Sequence, residues 1–112
     1  MEIEVRGRHM RLTEALRQYV EKRLHFALGR FDNGVRRALV RLEDTNGPKG
    51  GVDKRCSLEL YVDGQKPSVA QAVDVDMYAA IDRASGVASR MLGTARAKRR
   101  EFRGMSHALV TG

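Results

Sequence analysis

Alternating apolar and polar positions predict four β-strands. Ile3 and Val5 alternate with charged residues in 1–7, and the same two-residue period recurs in "VRRALVRLED" (35–44) and "RCSLELYV" (55–62). A fourth strand is predicted over 67–75, after a tight turn marked by Asp-Gly in "DGQK" (63–66). In "PSVAQAVDV" the valines lie on one face and the alanines on the other, and the pattern does not choose which face is buried.

Two segments have helical periodicity instead. Residues 13–28 repeat apolar side chains at helical spacing, with Thr13 as the predicted N-cap and Gly29 as the predicted stop. A second helix is predicted from Asp76 to about Phe102, in spite of two internal glycines. Its apolar stripe consists of Met77, Ile81, Ala84, Ala88, Met91 and Ala95.

The element order predicts an α+β two-layer sandwich, β-α-β-β-β-α, with both helices on one face of a four-stranded mixed sheet. The first two strands flank a helix, which predicts a parallel pair joined by a right-handed crossover. Strands two to four then form an antiparallel meander. The Gly-rich segment between strands two and three, "DTNGPKGGVDK" (44–54), is predicted to be a mobile loop.

The net charge of the chain says more about its binding partners than its length does. The 112-residue chain has 21 Lys and Arg against 14 acidic residues, a net charge of +7 and a pI near 10.2. Such a balance favours polyanionic partners, among them nucleic acid, an anionic membrane surface or an acidic protein. The single cysteine, the lack of a long apolar run and the lack of a signal-peptide pattern favour a cytoplasmic protein that has no membrane contact.

A catalytic function is not favoured by the residue pattern. The three histidines, His9, His25 and His107, lack metal-ligand spacing, and Cys56 lies on the inward side of its strand. Asp74 and Asp76 fit a strand end and a helix start. No phosphate-binding Gly-rich loop is present. We therefore expect no enzymatic activity, no metal or other cofactor and no small-molecule substrate.

The polar face of the second helix is cationic. Arg83 and Arg90 lie roughly opposite its apolar stripe, and Lys22 projects outward from the first helix. With the helices side by side, these residues are expected to join Arg17 and Arg23 in one cationic surface. The surface continues beyond the domain body through Arg96, Lys98, Arg99, Arg100 and Arg103.

Arginines at helical spacing suit the phosphates of folded RNA, recognised by shape. The aromatic signature of an RNA-recognition sheet is missing, since Tyr61 stands alone on its face, so base stacking is not expected as the main mode. Duplex DNA stays an open alternative as the bound polyanion.

Three motifs, "TEALRQYVEKRL" (13–24), "RFD" (30–32) and "DMYAAID" (76–82), carry a family resemblance. From residue 1 to about 102 the chain resembles the ribosome hibernation promoting factors and ribosome-associated inhibitor A. The resemblance implies a domain that binds the small ribosomal subunit in stationary phase or stress. Such a domain occupies the mRNA and tRNA channel, so that translation stops.

By position, the resemblance implies that Arg17, Arg23 and Arg90 face ribosomal RNA. Helical geometry adds Arg83, Lys22 and Lys98 as predicted RNA-binding residues. Arg6 and Arg8, next to the start of the first helix, are further candidates.

The resemblance also predicts the domain organisation. Residues 1–103 are expected to form the hibernation-type RNA-binding domain, and 104–112 a disordered tail. Long members of the family carry a second, dimerising domain, and this chain ends at residue 112, so we expect a monomer that cannot pair ribosomes by that route.

Two other functions remain open. One is a protein-interaction or oligomerising module of the same fold that uses strand four and the tail and does not bind ribosomes. The other is a hydrolytic enzyme that acts on RNA.

Overall fold

The computed structural model describes residues 1–29, 34–45 and 53–111, with side chains described as far as residue 95. The predicted order and fold class are confirmed. The elements are β1 (Glu2–Arg8), α1 (Glu14–Leu28), β2 (Val35–Asp44), β3 (Lys54–Val62), β4 (Ser68–Asp74) and α2 (Met77–Thr111). Most of the predicted loop between β2 and β3, and the "RFD" motif, lie outside the described residues.

The four strands form one mixed sheet in the order β1-β2-β3-β4. β1 and β2 are parallel, with Ile3 opposite Ala38 and Val5 opposite Val40, and α1 is the crossover between them. The other two pairs are antiparallel. Consecutive strands are therefore neighbours, and β1 and β4 are the edges.

Both helices cover the same face of this sheet and share one core with it. α1 buries Leu16, Val20, Leu24 and Leu28, at the four-residue spacing that its sequence predicts. The inward residues of β2 and β3 complete the cluster with the apolar stripe of α2. A fully buried Leu or Val contributes roughly 1.5–3 kcal/mol, so this stripe fixes the orientation of α1.

The structure decides which face of β4 is buried. Ala70 is fully buried opposite Leu58, and Ala72 packs against the core. Val69 and Val73 point to the face of the sheet that the helices do not cover, which we call the open face. They are 51% and 38% exposed. Small side chains allow α2 to approach the strand closely, and the bulkier valines are left outside.

α2 begins after Asp76, whose carboxylate accepts a hydrogen bond from the amide of Tyr78 (3.3 Å). It passes Gly86 and Gly93 without a break and continues to Thr111, beyond the end predicted at about Phe102. Residues 95–100 are all Ala, Arg or Lys, which are good helix formers. The domain boundary at residue 103 stays a prediction.

Thr13 caps α1 as predicted. Its Oγ1 accepts a hydrogen bond from the amide of Leu16 (3.2 Å), and Glu14 follows in the first turn. The hydroxyl thus satisfies one of the amides that an uncapped helix start leaves without an acceptor.

Replacing Thr13 tests this cap. Thr13→Ala should lower the free energy of unfolding by about 1 kcal/mol because that amide loses its acceptor, whereas Thr13→Ser should keep most of it. Urea denaturation of the three proteins measures the difference. Equal stability of Thr13→Ala and the natural protein would contradict the role of the hydroxyl.

Candidate nucleic-acid interface

A shared carboxylate joins the two helices. Asp82 Oδ1 of α2 accepts hydrogen bonds from the Tyr19 hydroxyl (2.6 Å) and from Arg23 Nε (3.0 Å), both on α1. Tyr78 packs edge-on against Tyr19, with ring centroids 4.9 Å apart. We call this group of four residues the helix seam; it holds the outer faces of α1 and α2 at a fixed separation.

The seam changes the role expected for Arg23. Its guanidinium is paired with Asp82 and lies 5.3 Å from the ring centroid of Phe26. Its position at the outer surface between the helices agrees with the prediction. Its charge, however, is partly offset by a carboxylate, and Asp82 was not foreseen as its partner.

Arg83 lies apart from the α1 cations. Its Nη1 donates to the carbonyl oxygen of Val73 (2.6 Å) and lies 3.4 Å from Asp74, so it covers the end of β4. The backbone amide of Asp76, and to a smaller extent Arg83, hold the pKa of Asp74 below its usual value. The single surface expected from side-by-side helices is therefore divided.

Arg6 and Arg8 lie on the opposite side of the sheet from the helices. Ile3 and Val5 of β1 face the core, so the alternate positions face outward on the open side. Arg6 is paired there with Glu4 (2.8 Å). Neither arginine belongs to the helical surface, because the two-residue period of a strand places them behind it.

The remaining predicted residues differ in their pairing. Arg17 is exposed and pairs with Glu14 within α1 (3.5 Å). Lys22 and Arg90 are exposed, and no carboxylate of the described residues forms an ion pair with either. Lys98 belongs to α2, and its side chain is outside the described part.

Positive charge is concentrated in one stretch of α2. Seven of the 21 Lys and Arg residues, and one of the 14 acids, lie in 83–103, so this stretch holds +6 of the net +7. An α-helix of 35 residues is about 52 Å long. A nine-residue strand such as β3 spans roughly 30 Å. The basic stretch therefore continues past the sheet.

The open face of the sheet is close to charge balance by contrast. Glu4 binds both Arg6 and Arg37, which lowers the pKa of Glu4, with Arg6 the larger cause. Arg41 pairs with Glu59 (3.6 Å), and Arg37 lies over the Tyr61 ring. Paired charges therefore cover much of this face.

The described residues offer few side chains that are suited to catalysis. They contain no group of three or more potential metal ligands. Cys56 is buried, and burial raises the pKa of its thiol to about 12, so it remains protonated near neutral pH.

In the part of the chain with described coordinates, no helix has the length and apolarity to span a bilayer.

Sequence reasoning missed Phe26. It is 82% exposed and lies beside Arg23 at the groove between α1 and α2. Its position on the polar side of α1, three residues after Arg23, was the available signal.

Comparison with known proteins confirms the family resemblance. Residues 3–100 match the family described as Sigma 54 modulation protein / S30EA ribosomal protein. The crystal structure of the Thermus thermophilus Protein Y N-terminal domain is similar to this chain, with 32% identity and a TM-score of 0.67. That similarity covers 81% of this chain and 94% of the Thermus chain.

A second solved structure, a ribosomal subunit interface protein from Coxiella burnetii, has the same fold. It is 22% identical, with a TM-score of 0.74, and covers 87% of this chain and 99% of its own. No curated protein sequence matches the chain.

The stability that the helix seam contributes should depend on pH. The hydrogen bond to Asp82 and, secondarily, burial raise the pKa of Tyr19 above 10, so the folded state favours the neutral phenol. The resulting stability is present below about pH 10 and is lost as the pH rises through the folded-state value. Tyr19→Phe should thus be less stable than the natural protein by about 1 kcal/mol at pH 7.

That difference should shrink at alkaline pH, and urea denaturation at pH 7, 9 and 11 measures it. Because Tyr61 and Tyr78 are common to both proteins, their titration cancels in the comparison. A difference that is constant with pH would contradict the hydrogen bond as its cause.

Proposed function

Because the chain belongs to the Sigma 54 modulation protein / S30EA ribosomal protein family, a family of ribosome-associated proteins, we propose that it is a translation inhibitor of the hibernation type. It binds the small ribosomal subunit through ribosomal RNA and occupies the channel for mRNA and tRNA. The observation that carries this proposal is the segregation of charge. Residues 83–103 hold +6 of the net +7 on a helix anchored to the sheet, while the open face has paired charges.

Inhibition follows from occupancy, without a reaction. The apolar stripe of α2 and the helix seam hold the backbone of Lys22 and Arg90 on rigid elements, so only the two side chains have to be ordered on binding. Each phosphate contact releases counterions. Affinity should fall by about 0.7–0.9 log units per contact for each log unit of salt.

Arg23 and Arg83 can still bind phosphate although each is paired with a carboxylate. Arg23 donates to Asp82 through Nε, and a guanidinium has five N–H donors in all. An exposed ion pair contributes only about 0–1 kcal/mol, so a phosphate can add to it or replace it. The same reasoning applies to Arg17, which pairs with Glu14.

The proposed function also implies where the protein acts and in what oligomeric state. Ribosome binding places it in the cytoplasm, as a stress-response factor that is monomeric in solution and needs no cofactor. Arg6 and Arg8, on the open face, are the least suited of the predicted residues to share an RNA surface with the helices.

One observation favours a second function, an oligomerising or protein-binding module. β4 is an edge strand, and its outer face exposes Val69 and Val73, followed by Val75, which is 60% exposed. Size-exclusion chromatography separates the two functions. A dimer that is insensitive to salt and does not bind ribosomes would favour the module.

Charge reversal on the helical face tests the ribosomal function. The double variant Lys22→Glu/Arg90→Glu should weaken co-sedimentation with purified small subunits at least tenfold, because two unpaired cations are replaced. The slope of log affinity against log salt should also fall by about 1.4–1.8.

Arg55→Glu/Lys66→Glu is the matched control. It makes the same change in net charge at two exposed cations, on β3 and in the β3–β4 turn, which likewise lack an ion pair within the described ranges. It should change the affinity by less than about twofold. Equal losses in both double variants would show that only net charge matters and would refute the helical face as the binding surface.

A further inference from the structure

An almost fully exposed aromatic ring marks the groove between the helices. Phe26 is 82% exposed, although its neighbours along α1, Leu24 and Leu28, are completely buried. The groove beside it has a volume of about 360 Å³ and is lined by Arg23, Phe26, Ala27, Gly86 and Ser89. Exposing a phenyl ring to water is unfavourable, so the position is better suited to a bound state in which the ring is covered.

The groove is open because two of the residues that line it are small. Gly86 and Ala27 contribute little volume, and a Cβ added at Gly86 would meet only Arg90 Nη1, at 4.0 Å. Tyr19 and Arg23 hydrogen-bond to Asp82, one turn before Gly86, so the two helices are joined next to the groove.

The groups around the ring are of the kinds that bind a nucleotide. The Arg23 guanidinium lies over one side of the Phe26 ring, at 5.3 Å from its centroid, and the exposure of the ring leaves the other side to solvent. Lys22 precedes Phe26 by four residues, so both project from the same side of α1. A flat aromatic surface flanked by cations is the combination that stacks a base and holds its phosphate.

We propose that the groove between α1 and α2 binds one unpaired nucleotide of RNA, with its base stacked on Phe26 and its phosphate between Lys22 and Arg23. The proposal rests on the proposed function and specifies where an unpaired residue of the ribosomal RNA would lie. A second copy of the chain does not suit the groove, because it would bring Lys22 and Arg23 against another protein of net charge +7.

The absence of tryptophan from the sequence makes the test direct. Phe26→Trp introduces the only indole of the chain, and stacking on a base should quench its fluorescence. His25→Trp is the matched control, since His25 is also exposed but lies one residue, about 100°, around α1. The probes are a 12-nucleotide single-stranded RNA, a duplex of the same sequence, and purified small subunits.

Single-stranded RNA and small subunits should quench Phe26→Trp strongly, and the duplex should quench it weakly. His25→Trp should respond to none of the three. Quenching of both variants to the same extent would show proximity without stacking and would overturn the proposal.

Affinity measurements separate stacking from charge. Phe26→Ala should bind single-stranded RNA about five- to 150-fold more weakly than the natural protein, while Phe26→Tyr keeps the affinity. The salt slope of Phe26→Ala should stay unchanged because no phosphate contact is removed. Lys22→Gln should instead lower that slope by about 0.7.

Filling the groove provides a variant that does not touch Phe26. Gly86→Leu should lower the affinity as Phe26→Ala does, and it should fold because Leu is the better helix former. Gly86→Ala, which adds a single methyl group in open space, should bind normally. Circular dichroism confirms that each variant is folded.

The possible failures are distinguishable. A natural protein that does not bind small subunits at all would refute the proposed ribosomal function. Normal binding by Phe26→Ala and Gly86→Leu would refute the nucleotide site alone. A loss of small-subunit binding by Phe26→Ala without quenching of Phe26→Trp by single-stranded RNA would indicate a protein contact and would also overturn the site.

Discussion

The close packing of α2 on the inner face of the sheet constrains every other feature of the molecule. Met77, Ile81, Ala84 and Ala88 are buried against β3 and β4, and alanines on β4 allow the close approach. This packing fixes the rotation of α2 about its axis. The rotation in turn decides that Asp82 faces α1, that Arg83 covers the end of β4, and that Arg90 faces solvent.

Ion pairing then determines which part of the surface retains positive charge. On the open side of the sheet, the charged side chains of β1, β2 and β3 compensate one another. On the helical side, three arginines of the predicted surface, Arg17, Arg23 and Arg83, are paired, and the excess charge remains at Lys22, Arg90 and the later part of α2. A protein with a net charge of +7 can thus present a nearly neutral side and a cationic side. In the proposed function, this division directs the ribosomal RNA toward the helices.

Periodicity in the sequence was sufficient for the fold because each element has one buried face. The two-residue period of β1 to β3, the stripe of α2 and the Thr13 cap all arise from local geometry, which neighbouring residues encode. The buried face of β4 was not predictable in the same way. It depends on how closely α2 approaches, and α2 lies outside the strand's own sequence.

The candidate site was predicted less well, because side-chain pairing is a tertiary property. Helical geometry predicted Arg23 in one cationic surface with Arg83, which lies opposite the apolar stripe of α2. It could not show that Asp82 would meet Arg23 across the helix seam or that Arg83 would reach Val73. Arg6 and Arg8 were close in sequence to α1, and the pleat of β1 turned them to the other side. Phe26 stands on the polar side of α1, three residues after Arg23, but its place at the groove is evident only from the packed helices.

The structure of the protein bound to the small ribosomal subunit tests the central claim most directly. We expect the outer faces of α1 and α2 to contact RNA, with Lys22 and Arg90 within hydrogen-bonding distance of phosphate oxygens, and the open face of the sheet to be turned away. A complex in which the open face contacts RNA and the helices point to solvent would contradict it.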